Sequence, residues 1–188
     1  MPAPGKKWRH AIINSYASWL HGDARGFRNR GHRIHSSGDY QHPPPKSEHE
    51  GLYVHHLGAS REEVHFEKSL RPVIGQTLLR YLQSTEHRTL AVAVTKGHAH
   101  LLVELPDHGA KMRAVVGQTK RSASRAVNKE LPGRIWAAGR SFKPVNSQAH
   151  HRRAYRYILY EQGLGAWTWS YRDKHEDGKF GRVRPVNK

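Results

Sequence analysis

A short apolar hairpin constrains the fold most, because both of its strands are of the kind found buried in a sheet. Residues 90–94 form a continuous run of Leu, Ala and Val, and residues 98–105 form a second run that begins with two histidines. The Thr95-Lys96-Gly97 segment between them is a turn signal, so the two runs predict an antiparallel strand pair. The histidines are then expected at the exit of a buried hairpin.

The remaining periodicities place this hairpin in a longer order of elements. Apolar residues recur at helical spacing in three segments, and β-branched or aromatic residues mark the other strands. From the N terminus the predicted elements are a strand (10–20), a helix (70–82), the hairpin, a helix (110–128), short strand pieces (134–137 and 141–145) and a helix (147–162). This order predicts an α+β fold, a ferredoxin-like β-α-β-β-α-β palm with an antiparallel sheet and an extra C-terminal helix.

The length of 188 residues suits a single domain. Residues 21–68 are rich in Gly, Pro, His and Arg and show little periodicity, which indicates a long basic insertion, or arm, after the first strand. Residues 170–188 are polar and charged, which is typical of a loosely structured basic tail. One domain covering residues 1–188, with this arm and this tail, is therefore expected.

Charge points to a polyanionic partner. The chain has 32 Lys and Arg against 15 Asp and Glu, a formal net charge of +17, which favours a nucleic acid over a membrane surface. It has no Cys, so disulfides and thiolate metal sites are excluded. No apolar run reaches the roughly 18 residues of a membrane span. We expect a cytoplasmic, nucleoid-associated protein without a membrane partner.

The two histidines at the hairpin are candidate metal ligands. Side chains two residues apart on a strand share one face, so the imidazoles of His98 and His100 can converge on one ion. With 16 His in the chain, a His-x-His pair also arises by chance. The pair is therefore evidence for a metal site only in combination with a second element.

That second element is the predicted C-terminal helix. Tyr157 and Glu161 are four residues apart, about one helical turn, and Arg153 and Arg156 fall on the same polar side. Guanidinium groups near a phenol favour the phenolate and attract phosphate, which suits a nucleophile. The alternative interpretation is that the tyrosines of this helix only pack on its surface.

The Gly97-His98-Ala99-His100-Leu101-Leu102 run, the basic helix and the Tyr157-Ile158 pair together resemble the HUH endonuclease superfamily. More narrowly, the chain is similar to single-tyrosine transposases and REP-associated tyrosine transposases, which the segments 18–27 and 131–136 also fit. The resemblance implies a divalent ion on the histidines and a tyrosine that cuts single-stranded DNA beside a hairpin through a covalent 5′-phosphotyrosine. It leaves monomer and homodimer, and a tyrosine acting in its own or a partner subunit, open.

The third metal ligand departs from the family pattern. A Gln or Asn is usual four residues after the tyrosine, whereas here that position is Glu161 and the amide follows at Gln162. On a continuing helix Glu161 projects beside Tyr157 and Gln162 points away, so Glu161 is the favoured ligand. A carboxylate suits Mg²⁺ or Mn²⁺, whereas two imidazoles on their own would suit Zn²⁺ or Mn²⁺, so the identity of the ion stays open.

The second predicted helix carries a cationic stripe opposite its apolar face. Its candidate DNA-binding residues are Arg113, Lys120, Arg121 and Arg125, to which Arg153 and Arg156 of the last helix are added. A metal-dependent DNA endonuclease and strand transferase is the favoured function. The alternative is a non-catalytic, ferredoxin-like module that binds RNA or DNA, such as a transposase relative with a decayed site.

Overall fold

The computed structural model describes residues 1–27, 36–38, 42–59, 62–139, 141–173 and 182–183. It divides the chain into two compact units, one of residues 1–15 and 65–188 and one of residues 16–64. Among the described residues, no helix is both long and apolar enough to cross a membrane. Each unit is considered by itself below.

The larger unit is built on a six-stranded antiparallel sheet. Its strands are β1 (Lys6–Asn14), β2 (Thr89–Val94), β3 (His98–Pro106), β4 (Ser141–Pro144), β5 (Trp167–Ser170) and β6 (Arg182–Val183), in the order β4-β1-β3-β2-β5-β6. The order β4-β1-β3-β2 is that of a ferredoxin-like palm, so the predicted fold class is confirmed. β5 and β6 extend the sheet beyond β2.

Two helices cover one face of the sheet. They are α2 (Leu70–Ser84) and α3 (Gly109–Ala126), which pack on each other and on β2 and β3. α2 buries Ile74, Leu78 and Leu82 because these residues recur at helical spacing on its inner side. At Gly75 the helix approaches β5 so closely that an added Cβ would lie 2.0 Å from the Trp167 ring.

A third helix covers the opposite face. This helix, α4 (Gln148–Tyr160), buries Ala154 and Ile158 against Ala93 and Leu102 of the sheet. In the strand register Ala93 lies opposite His100, and alternate residues of β3 share a face. The histidines and α4 are therefore on the same side of the sheet, which brings the last helix to the predicted metal ligands.

The predicted boundaries need three corrections. The first strand runs from Lys6 to Asn14 instead of residues 10–20, because the chain turns after Ser15 and Ala17 adopts a φ of +58°. The last helix ends at Tyr160 instead of residue 162. Ser170, the first residue of the predicted tail, is the last residue of a buried strand, Trp167–Ser170, while residues 174–181 and 184–188 of that tail lie outside the described residues.

The smaller unit, residues 16–64, overlaps most of the predicted arm. Its described residues include one helix, α1 (Glu50–Ala59), which buries no side chain. Its ends meet where the Val64 N–H donates to the Tyr16 carbonyl at 3.0 Å. Residues 21–68, the predicted basic arm, contain seven Lys and Arg and seven Asp and Glu, so this stretch is rich in His but carries no net formal charge. The expectation of a single domain stays a prediction.

Candidate active site

The two predicted metal ligands lie at the start of β3 with their rings together. The ring centroids of His98 and His100 are 4.7 Å apart. The turn before them is fixed by Thr95, whose hydroxyl oxygen accepts the His98 N–H at 3.1 Å and whose own N–H donates to the His98 carbonyl. The Nε2 atom of His100 is buried and has no hydrogen-bond partner among the residues that the structure describes.

Both imidazoles are held in the neutral form. Burial lowers the pKa of His98, and a hydrogen bond with the Gln162 side chain partly opposes that shift. Burial, helped by the nearby His98, His10 and Lys143, lowers the pKa of His100 to about 2. Neutral imidazole is the form that binds a metal ion, so neither side chain has to lose a proton before it can act as a ligand.

Tyr157 lies over this histidine pair. α4 begins where the Ser147 hydroxyl accepts the His150 N–H at 3.1 Å, and it packs on the sheet through Ile158 and its neighbours. The Tyr157 ring meets the His100 ring edge-on with centroids 5.4 Å apart. The tyrosine side chain is still 40% exposed, so a substrate can reach it.

The end of α4 determines which side chain approaches the histidines. Glu161 has left helical geometry, with φ −115° and ψ 12°, and its N–H closes the last turn on the Tyr157 carbonyl. Gln162 turns back, donates from Nε2 to the same carbonyl at 3.0 Å and is hydrogen-bonded to His98, whereas Glu161 is exposed. The prediction of Glu161 as the third ligand assumed a helix that continues to residue 162. Because α4 ends at Tyr160, the observed geometry favours Gln162 instead.

A cleft of about 520 Å³ opens beside Tyr157 and His98. Two exposed lysines, Lys68 and Lys96, line it together with Glu161 and Gln162. Lys96 lies in the turn before the histidines, and the aliphatic part of Lys68 packs over Gly165. In the sequence these lysines are two of many cations, so no pattern distinguishes them.

A third histidine, His10 of β1, also belongs to the site. Its Nε2 lies 2.8 Å from Nδ1 of His100, and its ring centroid is 5.8 Å from that of Tyr157. Burial, with Lys143 and His150 nearby, lowers the pKa of His10 to about 4. In the sequence, His10 is only a polar residue at the start of the strand predicted over residues 10–20, and no motif indicates a role for it.

The other predicted DNA-binding residues lie mainly on exposed helix surfaces. Arg113, Arg121 and Arg125 on α3 are exposed, as are Arg153 and Arg156 on α4. A cavity of about 640 Å³ separates the α3 arginines 121 and 125 from residues 134–138.

Lys120 differs from the rest of the predicted stripe. It is buried, and its ammonium group donates to the Ala137 carbonyl at 2.6 Å, while its own carbonyl accepts the Trp136 indole N–H. Lys120 thus fixes the segment before β4 to α3. Its positive charge is therefore buried and is not part of the expected cationic surface.

The ligand types present limit how a metal ion could be held. Within the described ranges, no three His, Cys, Asp or Glu side chains are grouped so that they could hold an ion. The donors that lie together are instead the neutral imidazoles of His98 and His100, with the Gln162 amide hydrogen-bonded to His98. The buried, unpartnered Nε2 of His100 fits a metal ligand, since a buried polar atom otherwise needs a hydrogen bond.

Comparison with known proteins shows what the chain is similar to. Residues 50–161, more than half of the chain, match the family described as "Transposase IS200 like". A solved REP-associated tyrosine transposase bound to a REP hairpin is similar, with 16% sequence identity and a TM-score of 0.42 over 84% of this chain and 67% of that one. No curated protein sequence matches the chain.

Proposed function

The chain belongs to the family of IS200-like transposases, and on that premise we propose that it cuts and rejoins single-stranded DNA through Tyr157. The observation that carries the proposal is the convergence of an exposed tyrosine with two neutral histidines, the half-buried His98 and the buried His100. A helix that used its tyrosines only for packing would not need polar side chains in the sheet beneath them.

The proposed reaction conserves the phosphodiester bond energy. The Tyr157 hydroxyl oxygen attacks the phosphorus atom and loses its proton to water. The bond from phosphorus to the 3′ oxygen breaks, and that oxygen takes a proton from water to give a free 3′ hydroxyl and a 5′-phosphotyrosine. Attack of a 3′ hydroxyl on the phosphotyrosine reverses these steps and rejoins a strand. Neither direction requires a nucleotide cofactor.

A divalent ion fits the donor atoms beside Tyr157. His98, His100 and Gln162 would hold it, with Glu161 as the competing third ligand. Two imidazoles suit Mn²⁺ better than Mg²⁺, although the amide oxygen is a donor that both ions accept. When bound, the ion would withdraw charge from the non-bridging oxygens of the phosphate.

Cations at the cleft support binding of a nucleic acid backbone. Lys68 and Lys96 line the cleft next to Tyr157 and can pair with the phosphates on either side of the scissile bond. Arg153 and Arg156, on the exposed side of the same helix, extend this positive surface. We therefore assign the DNA strand to the cleft, with the α3 arginines as a second contact and a hairpin next to the cut as the proposed substrate.

The test is capture of the covalent intermediate. Purified protein is incubated with end-labelled, hairpin-containing single-stranded DNA and Mn²⁺ and is then separated under denaturing conditions. We expect a protein–DNA adduct from the wild type and none from Tyr157→Phe, because this variant loses the nucleophilic oxygen and keeps the ring that packs on His100. DNA binding by Tyr157→Phe should stay close to that of the wild type.

Tyr160→Phe is the matched control. Tyr160 lies about one turn further along α4 and is 60% exposed, so it is at least as accessible as Tyr157. Adduct formation should survive this change. An adduct that disappears with Tyr160→Phe and persists with Tyr157→Phe would transfer the nucleophile to Tyr160. Tight DNA binding without an adduct from the wild type would favour the non-catalytic nucleic-acid-binding module instead.

A further inference from the structure

His10 is a polar residue in an apolar position. It points to the same face of the sheet as Trp8 and Ile12 and is paired in register with Leu102, yet only 6% of it is exposed. A buried polar ring is unfavourable unless it is hydrogen-bonded, and its hydrogen bond goes to His100. We propose that His10 is a positioning residue, which holds His100 in the tautomer that leaves Nε2 free for a metal ion.

The tautomer follows from the atoms involved. The contact joins Nε2 of His10 to Nδ1 of His100, at 2.8 Å. Two neutral imidazoles share such a contact only if one donates and the other accepts. With the proton on Nδ1, His100 donates to His10, and its Nε2 lone pair is left unprotonated at the atom that has no other partner among the described residues. With the proton on Nε2, a buried N–H would remain without an acceptor there.

His10 also contacts the nucleophile. Its ring meets the Tyr157 ring at 63° with centroids 5.8 Å apart, while Tyr157 packs edge-on against His100. The three rings therefore support one another. A ligand that donates its second ring N–H to a fixed acceptor is held in one orientation, and such outer partners tune metal affinity. One residue of β1 thus links the proposed ligand to the proposed nucleophile.

This role rests on the proposed function, because it presupposes an ion on His100. The first measurement does not use metal. In ¹⁵N-labelled, metal-free protein near neutral pH, two-bond ¹H–¹⁵N correlations report which nitrogen of each imidazole carries the proton, and a His100→Gln variant identifies the His100 signals. We expect His100 to be protonated on Nδ1 in the wild type and to lose that preference in His10→Leu.

Two further variants separate positioning from packing. His10→Gln keeps a side-chain oxygen that can accept the proton of His100, and it should restore the Nδ1–H form. His87→Leu is the matched control, because His87 is also a buried histidine, two residues before β2, but bonds the Glu104 carbonyl. It should leave the His100 tautomer unchanged.

The second measurement is Mn²⁺ affinity, followed by electron paramagnetic resonance of the free ion. His10→Leu should weaken Mn²⁺ binding by about 10- to 100-fold, the range typical of a lost outer partner. His10→Gln should recover most of the loss, and His87→Leu should bind like the wild type.

The outcomes distinguish this inference from the proposed function. A wild-type His100 protonated on Nε2, or a tautomer that does not respond to His10→Leu, would overturn the role of His10 whatever the metal does. A wild type that binds no Mn²⁺ but shows the expected tautomers would instead remove the metal from the proposed function and leave the hydrogen bond between the histidines established.

Discussion

At the scale of single residues, the site depends on uncharged side chains whose orientation is determined by neighbouring residues. Burial lowers the pKa values of His98 and His100, and Gln162 is turned toward His98 by the early end of α4. A ligand set of two imidazoles and an amide would keep a bound divalent ion strongly electrophilic, because none of the three donors neutralises its charge. Replacing each donor in turn tests this set.

We predict that Gln162→Ala weakens Mn²⁺ binding by about tenfold, a loss of ~1.4 kcal/mol, and that Glu161→Ala has a much smaller effect. The reason is that Gln162 contacts His98 whereas Glu161 is exposed. His98→Ala and His100→Ala should abolish both Mn²⁺ binding and strand cleavage. Titration with Mn²⁺ measures the affinities, with thermal unfolding of the metal-free variants as the control for folding. A larger loss in Glu161→Ala than in Gln162→Ala would return the third position to the carboxylate.

The sequence predicted that certain side chains lie together, but not how they contact one another. His98, His100 and Tyr157 were identifiable because strand alternation and helical spacing determine which residues share a face. The position of Gln162 was not, because it depends on two residues of non-helical backbone after Tyr160. His10 and Lys68 come from distant parts of the chain, and only the folded sheet brings them to the same helix.

At the scale of elements, the spacing of apolar residues predicted correctly those helices and strands that bury one face. The predicted hairpin and the three amphipathic helices are present because their apolar spacing matches the faces that they bury. α1 buries no side chain and so has no apolar periodicity to detect. β5 has four residues, all buried, and its strand conformation comes from pairing with β2. A run of four residues is too short to show a period.

The contact of α2 with β5 yields a prediction about two glycines. A glycine inside a helix usually costs about 1 kcal/mol relative to alanine. Gly75→Ala should nevertheless destabilise the protein by about 1–3 kcal/mol, because its Cβ would lie 2.0 Å from the rigid, buried ring of Trp167. Gly117→Ala on α3, where an added Cβ meets no atom within 4 Å, should stabilise it by up to about 1 kcal/mol.

Urea unfolding of the two variants beside the wild type measures both changes. Opposite signs are the expected result, because the two substitutions share the same helix-propensity gain and differ in the space around the new methyl group. A stabilised Gly75→Ala variant would mean that β5 does not pack against α2 as closely as the structure shows.

At the scale of the whole molecule, the positive charge is unevenly distributed. Residues 1–15 and 65–188 contain 26 Lys and Arg against nine Asp and Glu, so the unit with the sheet carries the entire formal charge of +17. The unit of residues 16–64 is formally neutral. A polyanion is therefore attracted to the unit that contains Tyr157, which agrees with a DNA path along the cleft and α3.

The exposed arginines of α3 can be tested by the salt dependence of DNA binding. We predict that Arg121→Gln and Arg125→Gln each weaken binding of linear and hairpin single strands alike and flatten the plot of log affinity against log salt concentration by about 0.7 per lost phosphate contact. Arg113→Gln should behave in the same way if the contact covers the whole helix. The measurement is a salt titration of binding for each variant.

Lys120 is the control for the exposed arginines, because its buried ammonium group stabilises the fold and is not available to DNA. Lys120→Met removes the donor to the Ala137 carbonyl, so it should lower stability to urea while the salt slope of the folded protein stays that of the wild type. Arg80→Gln, at an exposed arginine of α2, controls for the loss of any one positive charge and should leave the slope unchanged. Equal flattening in Arg80→Gln, Arg121→Gln and Arg125→Gln would mean that the DNA senses the overall field of the unit. Unchanged slopes in all three would move the DNA path away from α3, to the lysines and arginines around Tyr157.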